Sequence, residues 1–180
     1  WYENGAVGKI LGYISEYSPD IIRFGYTNVY PDGKREIPKS NPSKLEFISG
    51  GEMNRKIYPQ FITGIGLNSV CLAAFKRELS VHRFPENFLT AEDAAFSIET
   101  YTKAANVLLV PDALYCYYQS GQGLTGAGMG IIKKYRYNFM LVPLMLGKLP
   151  KWGLNSLQWK IRTVLRPLRL TVDKLKRSKF

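Results

Sequence analysis

Two adjacent carboxylates, Glu92 and Asp93, stand inside the stretch RFPENFLTAEDAAFSIETYTKA, residues 83–104. A carboxylate placed against a hydroxyl takes up its proton as a new bond forms, so the pair is of the type that serves as a general base. The same residues also suit a helix start. Phe96, Ile98, Tyr101 and Ala104 follow at spacings of two and three and roughly share one helical face. Thr90 lies three residues before Asp93, the spacing of a capping box with Asp in place of Glu or Gln. Acids in a first turn also complement the positive end of the helix dipole. Helix-start chemistry and base chemistry therefore both remain open at this point. One reaction class is disfavoured: adjacent helical residues project about 100° apart, so they do not face each other across a bond as the two carboxylates of a glycosidase do.

Other reactive residues are few. His82 is the only histidine, sits beside Arg83 and reads as a surface residue. Cys71 and Cys116 lie in apolar surroundings without metal-ligand spacing and read as buried, reduced thiols of a cytosolic protein. The glycine-rich stretch GQGLTGAGMG at residues 121–130 lacks the Lys-Ser/Thr of a P-loop and the spacing of a dinucleotide fingerprint, so it reads as a flexible loop.

The elements that must position these residues alternate. Residues 6–16 predict a helix with Val7, Ile10, Leu11 and Ile14 on one side. SPDIIRFGYTNVY predicts a strand, and PDGKREIPKS a turn with a second short strand. SGGEMNRKIYPQF predicts a short helix capped by Ser49; TGIGLNSVCLAAFKREL fits a strand running into a helical turn, and periodicity leaves strand and helix both open there. Residues 107–110 and 114–118 are strand candidates separated by Pro111 and Asp112, and helices follow from about Ile131. Alternation of this kind predicts an α/β fold. At 180 residues and 46% apolar content the chain can bury a core and is not of the disordered class. Its longest strongly apolar run, residues 139–147, falls well short of the ~20 residues of a membrane span.

Charge is unevenly spread. Residues 148–180 carry ten Lys and Arg against Asp173 alone, whereas the preceding residues are near neutral at a net +2. A nucleic-acid domain would usually carry its charge on the folded body, so nucleic acid is a poor match. In the tail, Leu154, Leu157, Ile161, Val164, Leu168, Val172 and Leu175 recur at spacings of three and four, with Lys160, Arg162, Arg166, Arg169, Lys174, Lys176 and Arg177 mainly between them. Trp152 and Trp159 add ring anchors, and Pro167 should kink or break the helix near Arg166. This composition suits an interfacial helix on anionic lipid, with Trp152, Trp159, Lys160, Arg162, Arg166 and Arg169 as contacts; a helix packed on its own domain or on a partner, with solvated charges outside, is the other reading.

The order of the pieces carries a resemblance. A strand pair SPDIIRFGYTNVYPDGK is followed by a Gly-Glu helix, then NSVCLAAFKREL, then RFPENFLTAEDAAFSIE, then ALYCYYQS. This order resembles the second half of a bacterial family-2 glycosyltransferase with the GT-A, or nucleotide-diphospho-sugar transferase, fold. The resemblance covers residues 1 to about 126, the acceptor-side half of such a catalytic domain, and leaves residues 127–180 as a basic, helical, amphipathic extension. It implies an inverting transfer from a nucleoside-diphosphate sugar to a hydroxyl of a cell-envelope glycan or lipid-linked acceptor. Asp93 would be the general base, and Glu92 would orient a neighbour or bond a substrate hydroxyl. Tyr118, Gln119, Gly64, Gly66 and Asn68 would line the acceptor side. The resemblance also implies a divalent metal, Mg or Mn, whose acidic motif is expected immediately upstream of Trp1. Since Trp1 is not an initiator methionine, the chain is expected to be part of a longer one, located in the cytoplasm at the inner face of the cell membrane. Two positions depart from the pattern: Ala91 stands where relatives carry Gly, and Tyr118 where many carry Arg. A non-catalytic α/β module that binds anionic membrane or nucleic acid through the tail is the alternative.

Overall fold

The computed structural model describes residues 1–64, 66–86, 91–120 and 131–177, without the side chains of 131–134 and 173–177. Thr90 and the glycine-rich stretch 121–130 lie outside the described residues, as do the side chains of Lys174, Leu175, Lys176 and Arg177. The fold is mixed α/β, around two long parallel strands, β1 (Ile21–Val29) and β5 (Asn106–Tyr118). The short strand β2 (Arg35–Glu36) pairs antiparallel with the end of β1, and β4 (Ala73–Phe75) with its start. The first half of β5 pairs antiparallel with β3 (Glu46–Ser49), and residues 1–3 lie against its second half through Trp1, Tyr2 and Glu3.

Side-chain alternation divides the core in two. Ile21, Ile48 and Val107 face α2 (Tyr58–Thr63), α3 (Glu92–Lys103) and α4 (Ile131–Lys148), joining Phe61, Ile98, Tyr101, Leu141 and Met145 in the larger cluster. Ile22, Phe24, Leu108, Val110 and Leu114 face the other way, toward α1 (Ala6–Tyr17). Both central strands are thus covered on two sides, which is why they read as apolar runs. Each fully buried aliphatic side chain contributes about 1.5–3 kcal/mol.

Three sequence expectations change in detail. The two strand candidates around Pro111 and Asp112 form one strand. The register moves from Arg23↔Leu109 to Gly25↔Ala113, so the proline falls in a bulge, where its missing N–H costs no ladder bond. Ser49 ends β3 instead of capping a helix; a π-helical turn (Met53–Ile57) follows and leads into α2. In α1, Val7, Leu11 and Ile14 are exposed, while Ile10, Tyr13 and Tyr17 pack on the sheet.

Helix α5 (Leu157–Arg177) runs through Pro167 without breaking. The residues either side of the proline are tied down: Arg166 donates to Phe61 O at 2.8 Å and Gly64 O at 3.3 Å, and Arg169 to Ile62 O at 2.5 Å. These are the last carbonyls of α2, which have no partner within the helix, and a cation is favourable at that negative end. Arg166 also donates to Asn138 Oδ1 on α4 at 3.0 Å.

The tail is correspondingly part of the fold. Trp152 and Arg166, expected as lipid contacts, are 0% and 1% exposed. Trp152 stacks on Tyr58 and Phe61, with centroids 5.2 and 5.8 Å away, and donates from Nε1 to Thr102 Oγ1 at 2.9 Å. An indole with its N–H satisfied gains more from a core than from a surface. Trp159 is partly buried against the same core with Arg162 over its ring, and Arg169 is half-buried; Lys160 and Arg162 are exposed. Leu157, Ile161, Val164, Leu165, Leu168 and Val172 are exposed as well, so α5 turns arginine inward and an apolar stripe outward. Among the described residues no helix is long and apolar enough to cross a membrane.

Candidate functional site

Asp93 stands in the first turn of α3, and Ala91 occupies the N-cap position without a side-chain cap bond. Ala91 has φ 76°, in the left-handed region that favours glycine. The resemblance expects glycine at this position, and the backbone retains that conformation with alanine in place.

The Asp93 carboxylate faces the segment that leads into β4. Its Oδ2 accepts from Val70 N at 3.4 Å, at the start of a 3-10 turn (Val70–Leu72) that touches α3, β1 and β5. Partial burial raises the pKa of Asp93, the Val70 N–H lowers it, and the charge of Glu92 raises it again, for a net upward shift. A half-buried carboxylate with one weak donor and a raised pKa is a better proton acceptor than a solvated one. Glu92 places Oε2 in a buried position with no hydrogen-bond partner among the described residues. An acceptor left unsatisfied in this way costs about 1–3 kcal/mol. Neither carboxylate makes an ion pair among the described residues.

Gly64, Gly66 and Asn68 lie in the segment before Val70, the residue whose N–H bonds Asp93. Arg23 donates to Gly66 O and, at 3.2 Å, to Ser69 O; Ser97 donates to Asn68 O at 3.5 Å; and Arg166 holds Gly64 O. Their carbonyls point into the protein. Tyr118 and Gln119 lie elsewhere, at the end of β5. Gln119 bonds Val29 O through its backbone N–H at 2.9 Å and Asn28 Oδ1 through its amide at 2.6 Å, while Tyr118 is exposed. These contacts are to β1 and not to α3.

Cys71 borders the site. It is only partly buried, and burial, followed by the charge of Asp93, raises its pKa, which keeps it a thiol. Cys116 is buried and lies between Glu3 and Arg35. His82 is partly buried: it stacks on Phe96 at 4.5 Å and reaches the Thr100 hydroxyl at 3.2 Å, so segment 81–86 is strapped across α3. A cleft of about 210 Å³ between α1 and β4, lined by Ile14, Pro19, Ile22 and Phe75, lies near the start of β1 and away from Asp93. Among the described residues no three His, Cys, Asp or Glu side chains converge as metal ligands.

No protein-family model matches the chain, and no curated protein matches its sequence. A functional reading therefore rests on the residues and their geometry. Sequence reasoning missed Arg23, the buried cation under the loop. A charged residue inside an apolar strand was its signal.

Proposed function

We propose that the chain is the acceptor-side part of an inverting glycosyltransferase with a GT-A type fold, and that Asp93 is its general base. The observation that carries this reading is the half-buried Asp93 carboxylate in the first turn of α3, its pKa raised and its Oδ2 accepting from Val70 N. An acceptor hydroxyl becomes a competent nucleophile at an anomeric carbon as Asp93 takes its proton, and displacement from the face opposite the departing nucleoside diphosphate inverts the centre. Glu92, whose buried oxygen lacks a donor, is suited to accept a bond from a neighbouring substrate hydroxyl. A divalent metal would offset the charge of the leaving diphosphate. Its ligands would come from the acidic motif that the resemblance to family-2 glycosyltransferases places before Trp1.

The outward face of α5 supports a peripheral position on anionic membrane, where a lipid-linked or envelope-glycan acceptor would be at hand. Exposed Leu157, Ile161, Val164, Leu165, Leu168 and Val172 form the apolar side, with exposed Lys160 and Arg162 beside them.

The test is sugar transfer by the full-length polypeptide that carries this chain. Uridine-, guanosine- and thymidine-diphosphate sugars would be supplied with manganese or magnesium and a membrane-lipid extract. Transfer is expected from one of these donors, and Asp93→Asn should lower turnover by about 10²–10⁴-fold. Wild-type turnover in Asp93→Asn, or no transfer from any donor, would overturn the reading.

A further inference from the structure

The register of the sheet places Arg23 opposite Ala73, directly under the segment that faces Asp93. Arg23 is 7% exposed and makes no ion pair among the described residues. A buried cation bonded only to carbonyls is costly to keep. Gly66 O and Ser69 O accept from Arg23, the latter at 3.2 Å. Ser69 O and Val70 N belong to one planar peptide group. The carbonyl end of that peptide is held by Arg23, and its N–H end donates to Asp93 Oδ2 at 3.4 Å.

We propose that Arg23 is a positioning residue for Asp93, acting through the Ser69–Val70 peptide. The proposal rests on the reading of Asp93 as the base. A cation at the oxygen and a carboxylate at the N–H both favour the same orientation of the peptide dipole, so each bond strengthens the other. By also holding Gly66 O, Arg23 closes the loop at a second point, and the peptide cannot rotate without breaking both bonds. Within the short 3-10 turn Ser69 O also accepts from Leu72 N, at a long 3.4 Å, and no long helix or strand adds to these bonds. Arg23 thereby sets where the N–H points, and the N–H sets where Asp93 rests and how readily it ionises.

The experiment is a carbon-detected NMR titration of the carboxyl group of Asp93 in the whole chain, comparing wild type, Arg23→Lys and Arg23→Met. In wild type the Val70 amide and the Arg23 Nη–H resonances, slowed by cooling, should move with the same midpoint as the Asp93 carboxyl, and both movements should vanish in Asp93→Asn. In Arg23→Met the Asp93 midpoint should rise further, because the N–H that favours the carboxylate is no longer held in place; Arg23→Lys should lie between the two. In the transfer assay Arg23→Met should lower turnover at unchanged KM by up to about 100-fold, the cost of misplacing a catalytic group by about 1 Å. If Arg23→Met does not fold, the co-titration in wild type and the Arg23→Lys midpoint decide. Arg23 resonances that ignore Asp93, or an unmoved midpoint in the Arg23 variants, overturn the proposal. If the NMR coupling is present and no donor sugar is transferred, the glycosyltransferase reading fails while the Arg23–Asp93 link stands.

Discussion

Asp93 carries a charge that its surroundings resist, and this gives a sign to its effect on stability. Its pKa is raised in the folded state, so folding is favoured while the group is protonated. That advantage is fully present below the ordinary carboxylate value and is lost as pH rises through the raised folded value. At neutral pH Asp93→Asn should therefore be at least as stable as wild type, since the amide oxygen can still accept from Val70. The difference should shrink on acidification through that window, as followed by urea unfolding at a series of pH values. Ala91 makes the opposite case, a backbone conformation unsuited to its side chain. Relief of a left-handed alanine is worth about 1–2 kcal/mol, and the extra freedom of glycine in the unfolded chain takes back about 0.4–1 kcal/mol. Ala91→Gly should raise the melting temperature by a few degrees, on the order of 2–4 °C per kcal/mol for a chain of this size. A lowered melting temperature would mean that the alanine methyl makes a contact worth more than the strain.

Helix α3 is held from several sides, and its neighbours explain why the basic tail is not a free appendage. Tyr58 and Phe61 bring their rings to Trp152, which arrives from the α4–α5 connection; Thr102 of α3 meets its indole nitrogen. Trp152→Ala should cost about 3–5 kcal/mol, the range for a large aromatic removed from a core, read from the denaturation midpoint at an unchanged slope. A loss below 1 kcal/mol would place Trp152 at a surface after all. Arg166 makes the same point with charge. Burial, and then the charge of Arg169, lower its pKa to about 10, still far above neutral pH, so it acts as a cation on the end of α2. Two of its partners, Phe61 O and Gly64 O, lie where α2 gives way to the segment that leads to Val70.

For the whole molecule, the decisive feature is the direction in which α5 faces. Its arginines near Pro167 turn into the protein, and six apolar side chains turn out, in a segment where residues 148–180 carry a net charge of +9. Each Lys or Arg near an anionic surface contributes about 1 kcal/mol, weakened by salt. The chain should cosediment with vesicles containing phosphatidylserine or phosphatidylglycerol, bind less with added salt, and bind neutral vesicles poorly. The double substitution Leu165→Glu, Leu168→Glu should abolish binding and leave the fold intact, because both side chains are exposed. Equal binding to neutral and anionic vesicles, or undiminished binding by the double variant, would assign the face to a protein partner.

Local pattern alone was enough to place α3 with its two first-turn acids, β1, the short β2 and an amphipathic C-terminal helix, because hydrophobic period and turn residues are properties of neighbouring positions. The remaining features depend on partners far along the chain. Pro111 separated two strands on paper and sits in a bulge of one, since the strand opposite absorbs the irregularity. The stripe on α5 said which residues share a face, but periodicity does not say whether that face turns in or out. Only the α2 carbonyls awaiting Arg166 and Arg169 decide it. Arg23 reads in sequence as a charge stranded in an apolar run; the antiparallel register of β4 turns it into the support beneath the peptide that faces Asp93. Residue type and spacing set which groups are capable of chemistry, and long-range hydrogen bonds and packing set which of them meet.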